Sequence, residues 1–284
     1  MADTAAHINK SYFDEEAAVY DAKHAKVNER LTEKIQSRLD FIGVDWASDD
    51  EDDDGSESAD ESDEKLKKST SKPKREVRLL DYACGTGMMS RTFAPYTTQC
   101  VGIDISDKMV ATYNARAENQ GLSPSEMHAY TGDLASPTPP TSLSGPEFFD
   151  FDLAAVAGGL HHFADPQLAA ARLVERLRPG GVLLVWDFLP HGAWTGQQHK
   201  AASTVVSHGF SEERIREIFE TAGAGTGFQL EELGSAVVFG GAHGGDEGED
   251  GSGGEHGHGH GHGNGQSKEY LKRQIFLARG EKAS

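Results

Sequence analysis

The stretch Leu79-Leu80-Asp81-Tyr82-Ala83-Cys84-Gly85-Thr86-Gly87 constrains the fold of this chain more than any other segment. The apolar run from Val77 to Leu80 reads as a strand that ends in a carboxylate and passes into a glycine turn, with a helix expected from Met88. Gly85 and Gly87 lack a Cβ, so the backbone can turn sharply there and lie against a bound molecule. The helix start beyond the turn offers unpaired N–H groups to a negatively charged group.

Three later segments repeat the pattern. A second strand, Gln99 to Ile103, ends in Asp104, 23 positions after Asp81, where a carboxylate can accept hydrogen bonds from both hydroxyls of a ribose. A third, around Tyr130, ends in Thr131-Gly132-Asp133-Leu134, and a fourth, Phe151 to Ala157, runs into Gly158-Gly159-Leu160-His161-His162-Phe163. Four strand ends are thus expected at one crevice, and open α/β sheets bind ligands outside the carboxyl ends of their strands. The pattern is not that of a nicotinamide dehydrogenase, because Ser90 stands where the third glycine of G-x-G-x-x-G would fall. Asp81, just ahead of the turn, would repel a pyrophosphate but can accept a bond from an ammonium group. A ligand with an amino-acid end and an adenosine end fits that charge arrangement, and S-adenosylmethionine is such a ligand.

Asp81-Tyr82-Ala83-Cys84-Gly85-Thr86-Gly87 resembles the first motif of class I S-adenosylmethionine-dependent methyltransferases. Val101-Gly102-Ile103-Asp104-Ile105-Ser106 is similar to their second motif, and Leu177-Arg178-Pro179-Gly180-Gly181-Val182-Leu183 to their approach to the fifth strand. With Leu160-His161-His162-Phe163, the likeness is to the small-molecule branch that includes ubiquinone-pathway and fungal metabolic methyltransferases. It covers residues 8 to 46, 77 to 239 and 267 to 280; Ala83 departs from it, standing where the family usually has glycine. The resemblance implies a Rossmann-like α/β fold, a doubly wound, mostly parallel seven-stranded sheet with the last strand antiparallel. It implies methyl transfer from S-adenosyl-L-methionine to a small-molecule acceptor, an aromatic or polyketide-like metabolite methylated on oxygen or carbon.

Site expectations follow residue by residue. Gly85 and Gly87 allow close approach of the cofactor, Asp81 meets its methionyl amino group and Asp104 its ribose diol, while Ile105 and Met109 line the adenine. The resemblance places Asp133 on the adenine amino group with the Leu134 backbone beside it, counts Ala157 among the cofactor contacts, and lets Tyr20 close over the cofactor. Ordinary helix capping is the structural alternative for Asp81 and Asp104, and a place in an amphipathic core the alternative for Tyr20. His161 and His162 follow the fourth strand, and an imidazole there can deprotonate a hydroxyl acceptor. Extended backbone would point the two rings opposite ways, so one of them, His161, is taken to face the acceptor. Asp187 and His191 are secondary candidates for the base, and Trp186, Phe188, Trp194 and Phe210 for the walls of an apolar pocket.

Composition sets the remaining bounds. A formal net charge of −19 argues against a nucleic-acid backbone as partner, though eleven of the carboxylates lie in the single run Asp49 to Glu64. Two cysteines make no disulfide framework, and Met1 to Lys10 lacks the apolar core of a signal peptide. No apolar stretch approaches the ~20 residues of a membrane span. The expectation is a cytoplasmic protein without membrane insertion. The sequence is silent on its oligomeric state.

Along the chain, residues 1 to 46 read as a helical cap, 47 to 76 as a disordered acidic then basic insertion, and 77 to 280 as the main domain, interrupted by a disordered Gly/His-rich loop at 240 to 266. The basic cluster from Lys65 to Arg75 can act as a nuclear-import signal, but a cluster like this is more often a solvated linker that balances the preceding acids. His256, His258, His260 and His262 alternate on a glycine-rich background that supplies no defined geometry, so no metal role is assigned to them. Two readings compete with the metabolite enzyme: a protein or RNA methyltransferase, and a non-catalytic methyltransferase-like scaffold.

Overall fold

The computed structural model describes residues 2–47, 75–192, 200–239 and 271–284. The acidic run, Lys65 to Lys74, Trp194 and the alternating histidines lie outside the described residues. Helices α1 (Ala2–Glu16), α2 (Tyr20–Gln36) and α3 (Leu39–Ile42) precede strand β1 (Arg78–Tyr82). Then follow α4 (Met88–Phe93), β2 (Gln99–Asp104), α5 (Asp107–Asn119), β3 (Met127–Thr131), β4 (Phe151–Ala157), α6 (Pro166–Arg176), β5 (Leu177–Phe188), α7 (Glu212–Ala222), β6 (Thr226–Phe239) and β7 (Leu271–Glu281). No helix among the described residues is long and apolar enough to cross a membrane.

The strands form one seven-stranded sheet in the order β3-β2-β1-β4-β5-β7-β6, parallel from β3 to β5, with β7 antiparallel to both β5 and β6. This is the expected doubly wound, Rossmann-like sheet. Strand alternation divides the core between its faces. Leu79, with α4 and α5, packs on one face; Leu80, with α6 and α7, packs on the other. The chain reverses its direction of growth between β1 and β4, and a crevice opens at such a switch point.

Local sequence sets the helix starts. Ser106 Oγ accepts from the Met109 N–H, Asp165 from Leu168, and Ser211 from Arg214, each side chain satisfying an otherwise unpaired donor. The first helix begins at Ala2, within the span read as a helical cap. The Pro179-Gly180-Gly181 turn is folded into β5, where the register jumps between Phe151 and Leu153 of β4; Gly180 sits at φ +72, and a Cβ on Gly181 would come 2.8 Å from the Phe151 carbonyl. Strand β6, from Thr226, is an edge strand with register shifts, so its sequence lacks clean alternation.

Candidate active site

Two adjoining cavities open over the carboxyl ends of the central strands. The first, of about 210 Å³, is lined by Asp104, Ile105, Met109, Asp133 and Phe163 among others. The second, of about 150 Å³, includes Asp81, Thr86, His161, Trp186 and Phe188 in its walls. Phe13, Tyr20, Ala83, Gly85, Ala157, Gly158 and His162 line both compartments and form the neck between them.

The glycine turn supplies the floor of that neck. Gly85 sits at φ +53, and a Cβ there would meet nothing within 4 Å, so its missing side chain leaves open space. Gly87 departs from its expected role: it lines neither cavity, and a Cβ on it would lie 2.7 Å from the Tyr113 ring. Its φ of +89 and its packing against α5, rather than ligand approach, account for the glycine. Ala83 holds φ +53 despite its methyl group.

The carboxylates line the cavities and also hold backbone N–H groups. Asp104 Oδ2 accepts from the Gly85 N–H and Oδ1 from the Ser106 N–H, both at 2.8 Å. Burial pushes its pKa up to about 6. Asp81 is nearly inaccessible, and its Oδ2 accepts from the Ser90 N–H and hydroxyl at 3.0 and 2.7 Å; burial pushes it up to about 7. Tyr113 donates in turn to Ser90 Oγ at 2.8 Å, completing a buried network. Asp133 Oδ1 accepts from the Tyr82 hydroxyl and the Ala135 N–H. Leu134 turns its side chain into the core and lines neither cavity.

The two histidines occupy a 3-10 turn, Leu160–His162, so the extended-backbone argument does not hold there: both rings line the second cavity. Their partners distinguish them. His161 Nδ1 lies 2.9 Å from Asp187 Oδ1, and the His161 N–H donates to Asp187 Oδ2 at 3.1 Å. A carboxylate partner assigns the proton to Nδ1 and leaves the Nε2 lone pair as the basic site. His162 Nδ1 instead contacts the Thr204 carbonyl at 2.8 Å, and burial holds its pKa well below the usual range, keeping the ring neutral. Asp187 therefore orients His161. His191 lines neither compartment, while Trp186 and Phe188 wall the second one; Phe210 lies in the core.

Helices α1 and α2 roof the crevice. Lys10 donates to Asp107 and the Ile105 carbonyl, and Asp14 accepts from the Ser106 hydroxyl at 2.6 Å. Asp21 accepts from Thr86 on the glycine turn at 2.6 Å and pairs with Arg116. Tyr20 lines both compartments, and burial pushes its pKa up to about 12. Sequence reasoning overlooked Phe13, whose ring meets that of His162 edge-on at 5.4 Å, and Tyr82, which holds Asp133. The helical spacing of Phe13 marked it only as apolar. The position of Tyr82 inside the first motif was the available signal for it. Among the described residues, no group of three or more His, Cys, Asp or Glu side chains is placed to hold a metal ion.

Residues 80–183 match the family model described as a methyltransferase domain. An uncharacterized methyltransferase of Schizosaccharomyces pombe is 33% identical over 153 residues, 51% of this chain and 52% of its own length. The demethylmenaquinone methyltransferase of Thermus thermophilus is 36% identical over 117 residues, 40% of this chain and 48% of that protein. The crystal structure of the YcgJ protein of Bacillus subtilis aligns at a TM-score of 0.48 with 15% identity, covering 74% of this chain and 93% of that one. The chain spans about half the length of the curated relatives it matches. Residues 80–183 are thus similar to a methyltransferase domain, and the relatives matched are methyltransferases.

Proposed function

We propose that this chain transfers a methyl group from S-adenosylmethionine to a hydroxyl of a small, uncharged aromatic acceptor. The observation that carries the reading is the His161–Asp187 pair in the wall of the second compartment, one neck away from the glycine turn. The residues of the crevice suit the cofactor. Gly85 leaves open space at the neck, each Asp104 oxygen keeps a lone pair beyond its backbone bond for a ribose hydroxyl, and Asp81 is a buried carboxyl that a nearby ammonium would favour in its charged form. Asp133, Ile105 and Met109 would hold the adenine end. Bound there, the cofactor supplies an activated methyl on a sulfonium, open to in-line displacement.

The chain's own residues then orient, deprotonate and exclude water. Asp187 fixes the imidazole, and His161 Nε2 takes the acceptor's hydroxyl proton as the oxygen becomes the nucleophile. Trp186, Phe188 and Phe13 supply flat apolar walls for a ring, and the α1–α2 roof keeps the neck dry. Relatives that act on quinone precursors and on a demethylrifamycin support a small-molecule acceptor.

The test is the fate of a labelled methyl group from S-adenosylmethionine when purified protein is added to cell extract, with an Asp81→Ala/Asp104→Ala control. Label in the solvent-extractable fraction, lost in His161→Asn, supports the reading. Label in precipitated protein or RNA redirects it to a macromolecular acceptor. Extractable label that survives His161→Asn removes the base but keeps the enzyme.

A further inference from the structure

We infer that Asn9, on the roof helix α1, binds the nucleoside half of the cofactor by accepting a hydrogen bond from one of its hydroxyl or amino hydrogens. The inference rests on the methyl-transfer reading and adds to it a residue outside the matched methyltransferase segment. Asn9 is only 7% exposed and lines the first compartment, together with Asp104 and Asp133. Its Nδ2 donates to the His162 carbonyl at 3.0 Å. Its Oδ1 is buried and has no hydrogen-bond partner among the described residues.

That bond to His162 fixes the amide's orientation. Exchanging oxygen and nitrogen would set two carbonyl oxygens against each other, so Oδ1 is the end left over. Buried amide oxygens in folded proteins nearly always find a donor. An oxygen held this way by the bond to the His162 carbonyl is suited to a donor that arrives with a ligand. The chemistry of the ligand narrows further by position. Asn9 lines the first compartment and not the second, whereas Asp81, the partner expected for the methionyl ammonium, lines the second and not the first. The donors of the nucleoside half are its ribose hydroxyls and its exocyclic amine.

The consequence for the roof is direct. Helix α1 also carries Lys10 and Asp14, which bond to the Ile105 carbonyl and the Ser106 hydroxyl just beyond Asp104. A nucleoside contact at Asn9 ties cofactor capture to closure of the same helix.

Calorimetric titration of the full chain with S-adenosylhomocysteine and with 5′-methylthioadenosine, which lacks the amino-acid end, tests this. In Asn9→Leu both ligands should weaken by the same factor, roughly tenfold, the size expected for one lost hydrogen bond. The melting temperature of the ligand-free variant does not discriminate, because the substitution removes the orphaned oxygen and also the donor to the His162 carbonyl. Unchanged affinities would make Asn9 a structural brace and overturn the inference. A loss confined to S-adenosylhomocysteine would move the contact to the amino-acid end and overturn it as well. Should Asn9→Leu not fold, hydrogen exchange on the unaltered protein decides: methylthioadenosine should slow exchange across α1, and no slowing counts against the contact. Wild-type protein that binds neither ligand removes the methyl-transfer reading itself, a different result from any of these.

Discussion

Ala83 and Asp150 are the non-glycine residues held at positive φ among the described residues, and Ala83 does so at the neck of the crevice. A Cβ costs ~1–2 kcal/mol in that backbone region. Glycine there gives back ~0.5–1 kcal/mol through the unfolded chain. Ala83→Gly should therefore stabilise the protein by up to about 1 kcal/mol, seen as a higher denaturant midpoint at unchanged slope. The sequence marks Ala83 only as a departure from the usual glycine; the cost lies in the backbone angle, which composition does not reveal. Asp104 carries a similar lesson. Its spacing pointed to a ribose ligand, with capping as the alternative, and its two bonds to the Gly85 and Ser106 N–H groups give it a structural part as well. Truncation to alanine strips the acceptor from two buried N–H groups, so Asp104→Ala should lose ~1–3 kcal/mol of stability as well as cofactor affinity. Asp81 gives a pH signature. Desolvation raises it to about 7, with Asp104 adding to the shift and Arg91 opposing it. A neighbouring ammonium favours the carboxylate, so the complex holds fewer protons than the free protein. Affinity for S-adenosylhomocysteine should rise with pH up to about 7 and level off above it, and Asp81→Asn should flatten the profile in titrations from pH 5.5 to 8.5. The ligand-free fold shows the opposite trend: the contribution of this raised carboxyl is present below the ordinary carboxylate range and lost as pH climbs through about 7.

Elements were legible where burial on two faces makes a strand uniformly apolar, as in Phe151 to Ala157, and where a polar cap precedes an amphipathic run, as at Ser211. Ser211→Ala should cost about 1 kcal/mol in thermal or chemical unfolding, since the Arg214 N–H loses its acceptor. They were illegible where an element's form depends on a neighbour. The first five residues of β5 carry a Pro-Gly-Gly signature of a turn, yet their backbone lies against Phe151 of β4. The histidine pair was misread for the same kind of reason. Nothing in Leu160-His161-His162-Phe163 announces a 3-10 turn, and only that turn brings both rings to one cavity. The roof helices were visible as amphipathic. Their anchors were not, because Lys10–Asp107, Asp14–Ser106 and Asp21–Thr86 join residues 65 to 97 positions apart.

At the scale of the whole molecule, strand and helix alternation made the sheet readable, and the acidic ends of its strands made the crevice readable. The division of that crevice into two compartments was not, since it arises from a neck built by α1, the glycine turn and the end of β4 together. The run Asp49 to Glu64 departs after Ala47, whose N–H donates to the Tyr96 carbonyl, and the chain returns at Arg75, which pairs with Asp45. Its two flanks are thus pinned to each other at the amino end of β1. Deleting Asp49 to Glu64 should leave S-adenosylhomocysteine affinity within twofold of the full chain, about 0.4 kcal/mol at most, as read by calorimetry. The crevice lies at the other end of that strand, roughly 17 Å away at ~3.3 Å per residue. The β6–β7 hairpin differs, because it runs past Phe188 on the crevice side of the sheet before residues 240–270 depart. For anyone wishing to tether this protein to a surface or splice in a fluorescent reporter, the two insertions are therefore not equivalent. A payload grafted between Ala47 and Arg75 hangs at the amino end of β1, while one grafted into the hairpin stands on the crevice side of the sheet.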